Sequence, residues 1–216
     1  MMQRGKFLSL SIATACLALF TPGLAHAATP GAGATDASAT LSPVAQQEAS
    51  QMVSAQVHLV KTLDARKAQP GQQFEAVLDD TVHLKNGTEL PHGTMLVGKI
   101  VTDQMHSNGH SRLALRFTEA KLKDGKTVPV HAMIAGVAGP ANYDGYGSYG
   151  APPPAWSHGT LQIDEVGALS HVDLHSRIAG ANSGVFVSSK KDDVKLSAGS
   201  QFSLAIAARA NQNSGA

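Results

Sequence analysis

Residues 74–100 alternate between runs of period two and tight-turn dipeptides, and this pattern restricts the fold more than any other part of the sequence. Phe74, Ala76 and Leu78 occupy every second position, which places them on one face of a β-strand. The Asn-Gly dipeptide at 86–87 predicts a hairpin, because both residues tolerate the positive φ angles of a type I′ turn. Short antiparallel strands joined by tight turns are therefore expected.

Similar signals recur later in the chain. Leu113, Leu115 and Phe117 alternate with outward positions and predict a half-buried strand. The Asp-Gly dipeptide at 124–125 predicts a second hairpin. Gly98 lies in the middle of an apolar run, which indicates a β-bulge or a close backbone approach.

These patterns together predict an all-β fold, a small β-barrel or sandwich of about eight to ten short antiparallel strands. A flexible N-terminal leader and a Gly/Pro/Tyr-rich insertion are expected to flank or interrupt it. The expected core is made of apolar side chains that share the inward face of the strands. They are Val57, Leu59, Phe74, Ala76, Leu78, Leu96, Ile100, Leu113, Leu115, Phe117, Val130, Phe186, Phe202, Leu204 and Ile206.

The first 27 residues have the features of a secretory signal peptide. Arg4 and Lys6 form a basic region, residues 7–20 are apolar but too few to span a bilayer, and an Ala-His-Ala tripeptide ends at Ala27. Cleavage near Ala27 predicts a periplasmic or extracellular protein.

Cys16, the only cysteine, raises the alternative of a lipoprotein. The residues before it fit a lipoprotein box poorly, and the apolar run continues past it, so an ordinary signal peptide is the preferred interpretation. Cleavage near Ala27 would then leave no cysteine, which would exclude disulfides and thiol catalysis.

The rest of the chain divides by composition. Its start is rich in Ala, Gly, Thr and Ser, which bury too little apolar surface to order a chain, although 44–54 fits a short helix or an extended lead-in. The predicted segments are a disordered leader 28–52, the main part of the β-domain 53–138, a Gly/Pro/Tyr-rich loop 139–160, the remainder of the β-domain 161–210 with a short helix around 167–178, and a tail 211–216.

Charge excludes one class of partner. Without residues 1–27, the chain carries 15 basic and 16 acidic residues, since the signal contains two basic residues and no acidic ones. A nucleic-acid-binding protein would be expected to show a basic patch or stripe. We therefore expect no nucleic-acid partner, and no later apolar run is long enough to predict a transmembrane segment.

His171, Asp173 and His175 form the best candidate metal cluster. On a helix the two histidines would share a face, and on a strand all three residues would do so, and either geometry could offer ligands to zinc. The alternative is that this cluster is polar surface. No other cofactor is expected.

The aromatic residues Tyr143, Tyr146, Tyr149 and Trp156 all lie in the 139–160 loop. They could form a contact surface for a glycan, peptidoglycan or a protein partner. The preferred alternative is a flexible insertion, because long Gly/Pro-rich loops usually are one.

Catalytic motifs are missing from the sequence. It contains no G-x-S-x-G elbow, no P-loop and no dinucleotide fingerprint. The sequence therefore predicts that the protein is not an enzyme.

Four segments carry a resemblance: 61–68, 85–98, 121–130 and 188–204. They resemble a group of uncharacterised secreted bacterial proteins, which brings no known activity. More distantly, the order of a strand, a P-x-G-[ST]-x-L-x-G segment (here 91–98) and an Asp-Gly hairpin is similar to the periplasmic β-barrel module of type IV secretion and conjugation channel proteins. That likeness implies a fold, not functional residues. Because no membrane anchor and no long amphipathic insertion are seen in the sequence, a pore is not expected.

The resulting functional prediction is a non-enzymatic binding or scaffolding module of the bacterial cell envelope, with an envelope protein or a glycan as partner. Two alternatives stay open. One is a metal-dependent hydrolase that uses His171, Asp173 and His175, and the other is a glycan or peptidoglycan binder that uses the loop from Tyr143 to Trp156.

Overall fold

The computed structural model of the chain describes residues 43–101, 106–107, 110–140, 152, 154–157, 160–161, 169–178, 180–189 and 193–209. The predicted signal peptide, the tail 211–216 and most of the 139–160 loop lie outside the described residues. No helix in the described part is long and apolar enough to cross a membrane.

The described residues form one helix and fifteen strands, several of them only two residues long. They are α1 Pro43–Gln51, β1 Val53–Leu59, β2 Leu63–Asp64, β3 Gln73–Leu78, β4 Val82–His83, β5 Glu89–Leu90, β6 Met95–Ile100, β7 His106–Ser107, β8 His110–Lys121, β9 Thr127–Ala138, β10 Trp156–Ser157, β11 Thr160–Leu161, β12 Val172–His175, β13 Gly184–Ser188, β14 Lys195–Leu196 and β15 Gln201–Ala208.

Six strands close into an antiparallel barrel in the order β8-β6-β3-β1-β15-β9, with β9 pairing back onto β8. Strands β13 and β12 extend the sheet beyond β8. The predicted all-β class is confirmed, and the barrel alternative is the correct one.

The barrel interior is apolar, and all fifteen side chains predicted for the core are buried. Within it, the rings of Phe74 and Phe117 meet edge to face with centroids 5.1 Å apart, and those of Phe186 and Phe202 lie 6.1 Å apart. The period-two pattern therefore identified the inward face of every strand to which it was applied.

The turn at Asn86-Gly87 is not the predicted type I′ turn. Gly87 has a φ of 84°, whereas Asn86 is not among the described residues with positive φ. The Gly87 N–H donates to Leu84 O and the Leu84 N–H donates to Thr88 O, which makes a three-residue loop with glycine in the left-handed position. Asn86 Oδ1 accepts a hydrogen bond from the Thr88 N–H, and this bond favours the three-residue loop over the type I′ turn.

The second predicted hairpin has the same turn. The Gly125 N–H donates to Leu122 O, the Leu122 N–H donates to Lys126 O, and Asp124 Oδ1 accepts the Lys126 N–H. The hydrogen bond from the Lys126 N–H is the main reason that the pKa of the Asp124 carboxyl lies below its usual value. A hairpin at both dipeptides is confirmed, and only the turn type differs.

Gly98 fulfils both predictions made for it. The register between β6 and β8 shifts between Val97 and Gly98. A Cβ atom on Gly98 would lie 2.3 Å from Cζ of Phe74 and 2.7 Å from the carbonyl oxygen of Arg116. The barrel therefore needs a glycine here for the ring of Phe74 to pack.

Strands β9 and β15 are buried on both faces. Their inward residues join the barrel core, and their outward residues join a second apolar cluster under α1. A run without charged residues, such as 132–138, is typical of a strand covered on both sides. The second cluster consists of Ala49, Met52, Met133, Ala135, Ala155, Ile178, Ala205 and Ala207.

Helix α1 corrects the predicted disordered leader 28–52, since residues 43–51 are helical. Ala45 and Ala49 are buried on one side of the helix, and Ala49 packs in the second cluster. Packing against the barrel, more than helix propensity, orders this segment, because isolated helices of this length are marginal in water.

The helix predicted around 167–178 is wrong, because residues 172–175 form strand β12. Val172 and Leu174 are buried and alternate with Asp173 and His175, and the whole strand pairs with β13. The alternation covers only four residues, which is too short to distinguish the two periods from sequence.

Ser183 closes the gap where β8 and β9 part. Its N–H donates to Leu115 O at 2.8 Å, and its carbonyl oxygen accepts the Ile134 N–H at 2.8 Å. Its hydroxyl oxygen accepts the Phe117 N–H at 2.9 Å. One buried serine thus satisfies backbone groups of both strands at the seam of the barrel.

We predict that Ser183→Ala lowers the free energy of unfolding by about 1–3 kcal/mol, because it leaves the buried Phe117 N–H without an acceptor. Chemical denaturation measures the change. Ser203→Ala is the matched control, since Ser203 is equally buried and its hydroxyl has no partner among the described residues. An equal loss in both variants would contradict the role assigned to Ser183.

We also predict that Gly98→Ala destabilises the protein by about 1–3 kcal/mol, as overpacking does, because the added methyl group meets Phe74 and backbone. Gly139→Ala is the control, since a Cβ there would meet nothing within 4 Å. Thermal unfolding of both variants tests this, and a tolerated Gly98→Ala would show that the ring of Phe74 can move aside.

Candidate functional site

The predicted trio does not share one regular strand face. Asp173 and His175 project from the outward face of β12, but His171 precedes the strand and has a φ of 63°. A left-handed residue breaks the alternation, so the predicted i, i+2, i+4 alignment holds only for the last two members.

Within the described residues, no group of three or more His, Cys, Asp or Glu side chains could hold a metal ion. The zinc prediction for His171, Asp173 and His175 therefore gains no support from the geometry. A zinc titration with His171→Ala and His175→Ala tests it directly.

The aromatic candidates Tyr143, Tyr146 and Tyr149 lie outside the described residues. Trp156 begins β10, which pairs with β11. Just before it, Pro152 and Ala155 are buried, and Gln56 Nε2 donates to the Pro152 carbonyl oxygen at 3.4 Å. The described end of the loop therefore packs on the barrel.

A groove of about 640 Å³ lies where the sheet extends beyond the barrel. Strand β8 and the end of β12 form its walls, and the connection from β12 to β13 crosses it. The larger residues of its lining are Arg112, His175, Ser176, Arg177, Asn182 and Val185.

Strand alternation explains why these groups face outward. Leu113 of β8 points into the core, so its neighbour Arg112 points away from it, and the same holds for His175 beside Leu174. Gly184 keeps the extension close to the barrel, since a Cβ there would lie 3.1 Å from side-chain atoms of Ile134 and Leu174.

The connection that crosses the groove is anchored at both ends. Ile178 is buried in the second cluster, and its carbonyl oxygen lies 2.9 Å from Nε2 of His131. The Gly180 N–H donates to Arg177 O, and Ser183 is fixed in the barrel seam. These contacts tie both ends of the connection to the barrel.

Positive charge is concentrated in the groove. Arg112 and Arg177 are exposed, and neither guanidinium forms an ion pair with another described residue. Asp173 is the acidic neighbour, in the same cross-strand row as Arg112 with Val187 between them. A guanidinium without an ion pair offers its N–H groups to an anion, so the groove has donors of the kind that an anion requires.

Ser176 lines the groove, but its hydroxyl is not open to it. The residue is only 6% exposed, and its hydroxyl oxygen is buried without a hydrogen-bond partner among the described residues. Ser176 follows the buried residues Val172 and Leu174 at alternate positions, so its side chain lies on the side opposite the exposed His175.

The ion pairs of Arg66 lie outside the groove and have a structural role. Arg66 forms a two-pronged contact with Asp64, at 3.0 and 3.2 Å, and also lies 3.4 Å from Asp193. This contact ties the end of β2 to the segment before β14. The side-chain hydrogen bond from Arg66 holds the pKa of the Asp64 carboxyl below its usual value, so this stabilisation is present above the ordinary Asp pKa and is lost as the pH falls through the lowered one.

Sequence patterns placed His175 near the site but missed Arg112 and Arg177, which are far apart in the chain. The available signal was the alternation of β8, where Arg112 takes an outward position between buried residues. Nothing in the sequence shows that β13 brings Arg177 to the same groove.

No protein-family model matches the chain, and no curated protein matches its sequence. Among solved structures, the chain is similar to ComB10 of the Com type IV secretion system of Helicobacter pylori, at 7% identity and a TM-score of 0.35, over 72% of this chain and 84% of that one. The distant similarity expected from the sequence is thus present, but nothing about function follows from a likeness this remote. The resemblance to uncharacterised secreted proteins stays a prediction.

We predict that His171→Gly keeps or slightly raises the stability, because a non-glycine residue in the left-handed region costs about 1–2 kcal/mol. His175→Gly is the matched variant, and we expect it to cost about 0.5–1 kcal/mol, as glycine does inside a strand. Denaturation curves compare them. A larger loss for His171→Gly would mean that its side chain holds the start of β12.

Proposed function

We propose that this protein is a non-enzymatic module of the bacterial cell envelope that binds a partner through the groove beside β12. The observation that carries the proposal is the groove itself, which is lined by two guanidinium groups that form no ion pair with another described residue. Arg112 lies on strand β8, and Arg177 lies on the connection between β12 and β13.

The same groups support binding more than catalysis. Ser176 and His175 both line the groove, but the hydroxyl of Ser176 has no base within hydrogen-bond distance among the described residues to which it could donate its proton. An activated serine needs such a base. The groove thus offers donors and charge without an assembled nucleophile.

The envelope location is supported by the sequence of residues 1–27, which has the basic, apolar and A-x-A parts of a secretory signal. Closure pairs each of the six barrel strands with two neighbours, and β12 ends the extension as an edge strand. A closed barrel of this kind can serve as the scaffold on which a binding groove is held.

A photo-crosslinking residue placed at Ala181, an exposed position in the groove lining, tests this proposal in intact cells. We expect a reproducible crosslinked product of defined mass, identified as protein, lipid or glycan. Lys85, at the tip of the first hairpin, is the control position and is expected to give none. Products at both positions, or at Lys85 alone, would contradict binding through the groove.

A further inference from the structure

We propose that the groove beside β12 binds a phosphate monoester group, carried by a larger organic body. This inference rests on the proposed binding function and names the chemistry of its ligand. It follows from the donors in the groove, their charge and the size of the space between them.

The donors suit a group with several acceptor oxygens. Each guanidinium presents a planar fork of N–H groups, and Asn182 adds an amide. A carboxylate offers two oxygens, whereas a phosphate monoester offers three strong acceptor oxygens. A tetrahedral group therefore has one oxygen for each fork and one for the amide of Asn182.

Charge favours the same group. Arg112 and Arg177 contribute two positive charges to the groove, and Asp173 in the cross-strand row of Arg112 offsets one of them. A phosphate monoester carries about −1.5 to −2 charges near neutral pH. Because attraction to a net positive site grows with the charge of the ligand, a phosphate dianion would gain more from this site than a singly charged carboxylate.

The groove is larger than a phosphate group. Its volume of about 640 Å³ lies in the usual range of sites for small organic molecules. Val185 is half-buried in its wall and offers apolar surface beside the charged groups. The ligand is therefore a phosphorylated molecule whose body lies along the wall, either a lipid headgroup or a soluble phosphate ester.

Calorimetric titration of the full chain, freed of any signal peptide by secretion, measures the preference. The probes are inorganic phosphate, glycerol 3-phosphate and acetate. We expect both phosphates to bind at least about tenfold more tightly than acetate, a difference of ~1.4 kcal/mol. Flotation with phosphatidylcholine vesicles, with and without phosphatidic acid, separates the two sources: recruitment by phosphatidic acid assigns a lipid, and binding of glycerol 3-phosphate alone assigns a soluble ester.

Four variants test the residues. Arg112→Gln and Arg177→Gln should each weaken phosphate binding by about tenfold, as expected for a charged hydrogen bond. Arg112→Lys keeps the charge but not the fork and should recover only part of the affinity. Arg209→Gln removes the same group outside this groove and should leave binding unchanged.

Ser176→Ala is a second control inside the groove lining. Because its hydroxyl oxygen is buried and has no partner among the described residues, removing it should reduce neither the stability nor the phosphate binding. A loss of phosphate binding in this variant would contradict the assignment of binding to the two guanidinium groups.

Phosphate binding no tighter than acetate binding, or an equal loss in Arg209→Gln, would overturn the inference. If crosslinks at Ala181 persist in that case, the binding function stands and only the ligand chemistry is wrong. If phosphate binds but no crosslink forms in cells, the proposed envelope partner is wrong and the anion site remains.

Discussion

The barrel depends on the buried Ser183, which lies where strands β8 and β9, the pair that closes the barrel, separate. Strand β9 pairs with β8 only over residues 127–129 and then follows β15, which leaves backbone groups of both strands facing a gap. Unpaired backbone groups in an apolar interior are costly. Ser183 fills the gap with three hydrogen bonds, and β13 continues from it along the vacated edge of β8. Closure of the barrel and extension of its sheet are therefore one structural solution.

The two sides of the molecule differ because of this arrangement. On one side, the outward faces of β9 and β15 carry apolar residues. These residues are covered by α1 and by Ala155 and Ile178. The extension of β12 and β13 instead carries Asp173 and His175 on its outward face, beside the exposed Arg112 of β8. One side is therefore covered by apolar residues, and the other exposes charged and polar groups.

The sequence predicted what depends on local alternation and missed what depends on distant contacts. Phe74, Leu115 and Phe202 were identified as core because each lies in a clear period-two run, and Gly98 because an apolar strand rarely holds a glycine without a reason. The type of turn at Asn86 was missed because one side-chain bond to Thr88 decides between turns of similar energy. Strand β12 was missed because its pairing with β13, far from any turn signal, overrides a short ambiguous pattern.

The groove could not be predicted from the sequence. The connection between β12 and β13 has two roles, and neither role produces a periodic pattern of apolar residues. Residues 176–183 contain Ser176, Arg177 and Asn182 of the groove, and they end at Ser183 of the seam. The hydrogen bonds that close the barrel therefore also fix where the groove donors lie. The fold determines the groove more than the groove determines the fold. The two arginine side chains are exposed, so their replacement removes no buried contact. Loss of Ser183, in contrast, would release the segment that holds Arg177. The position of the charged groups is thus a consequence of how the barrel closes, and their chemistry can change without changing the fold.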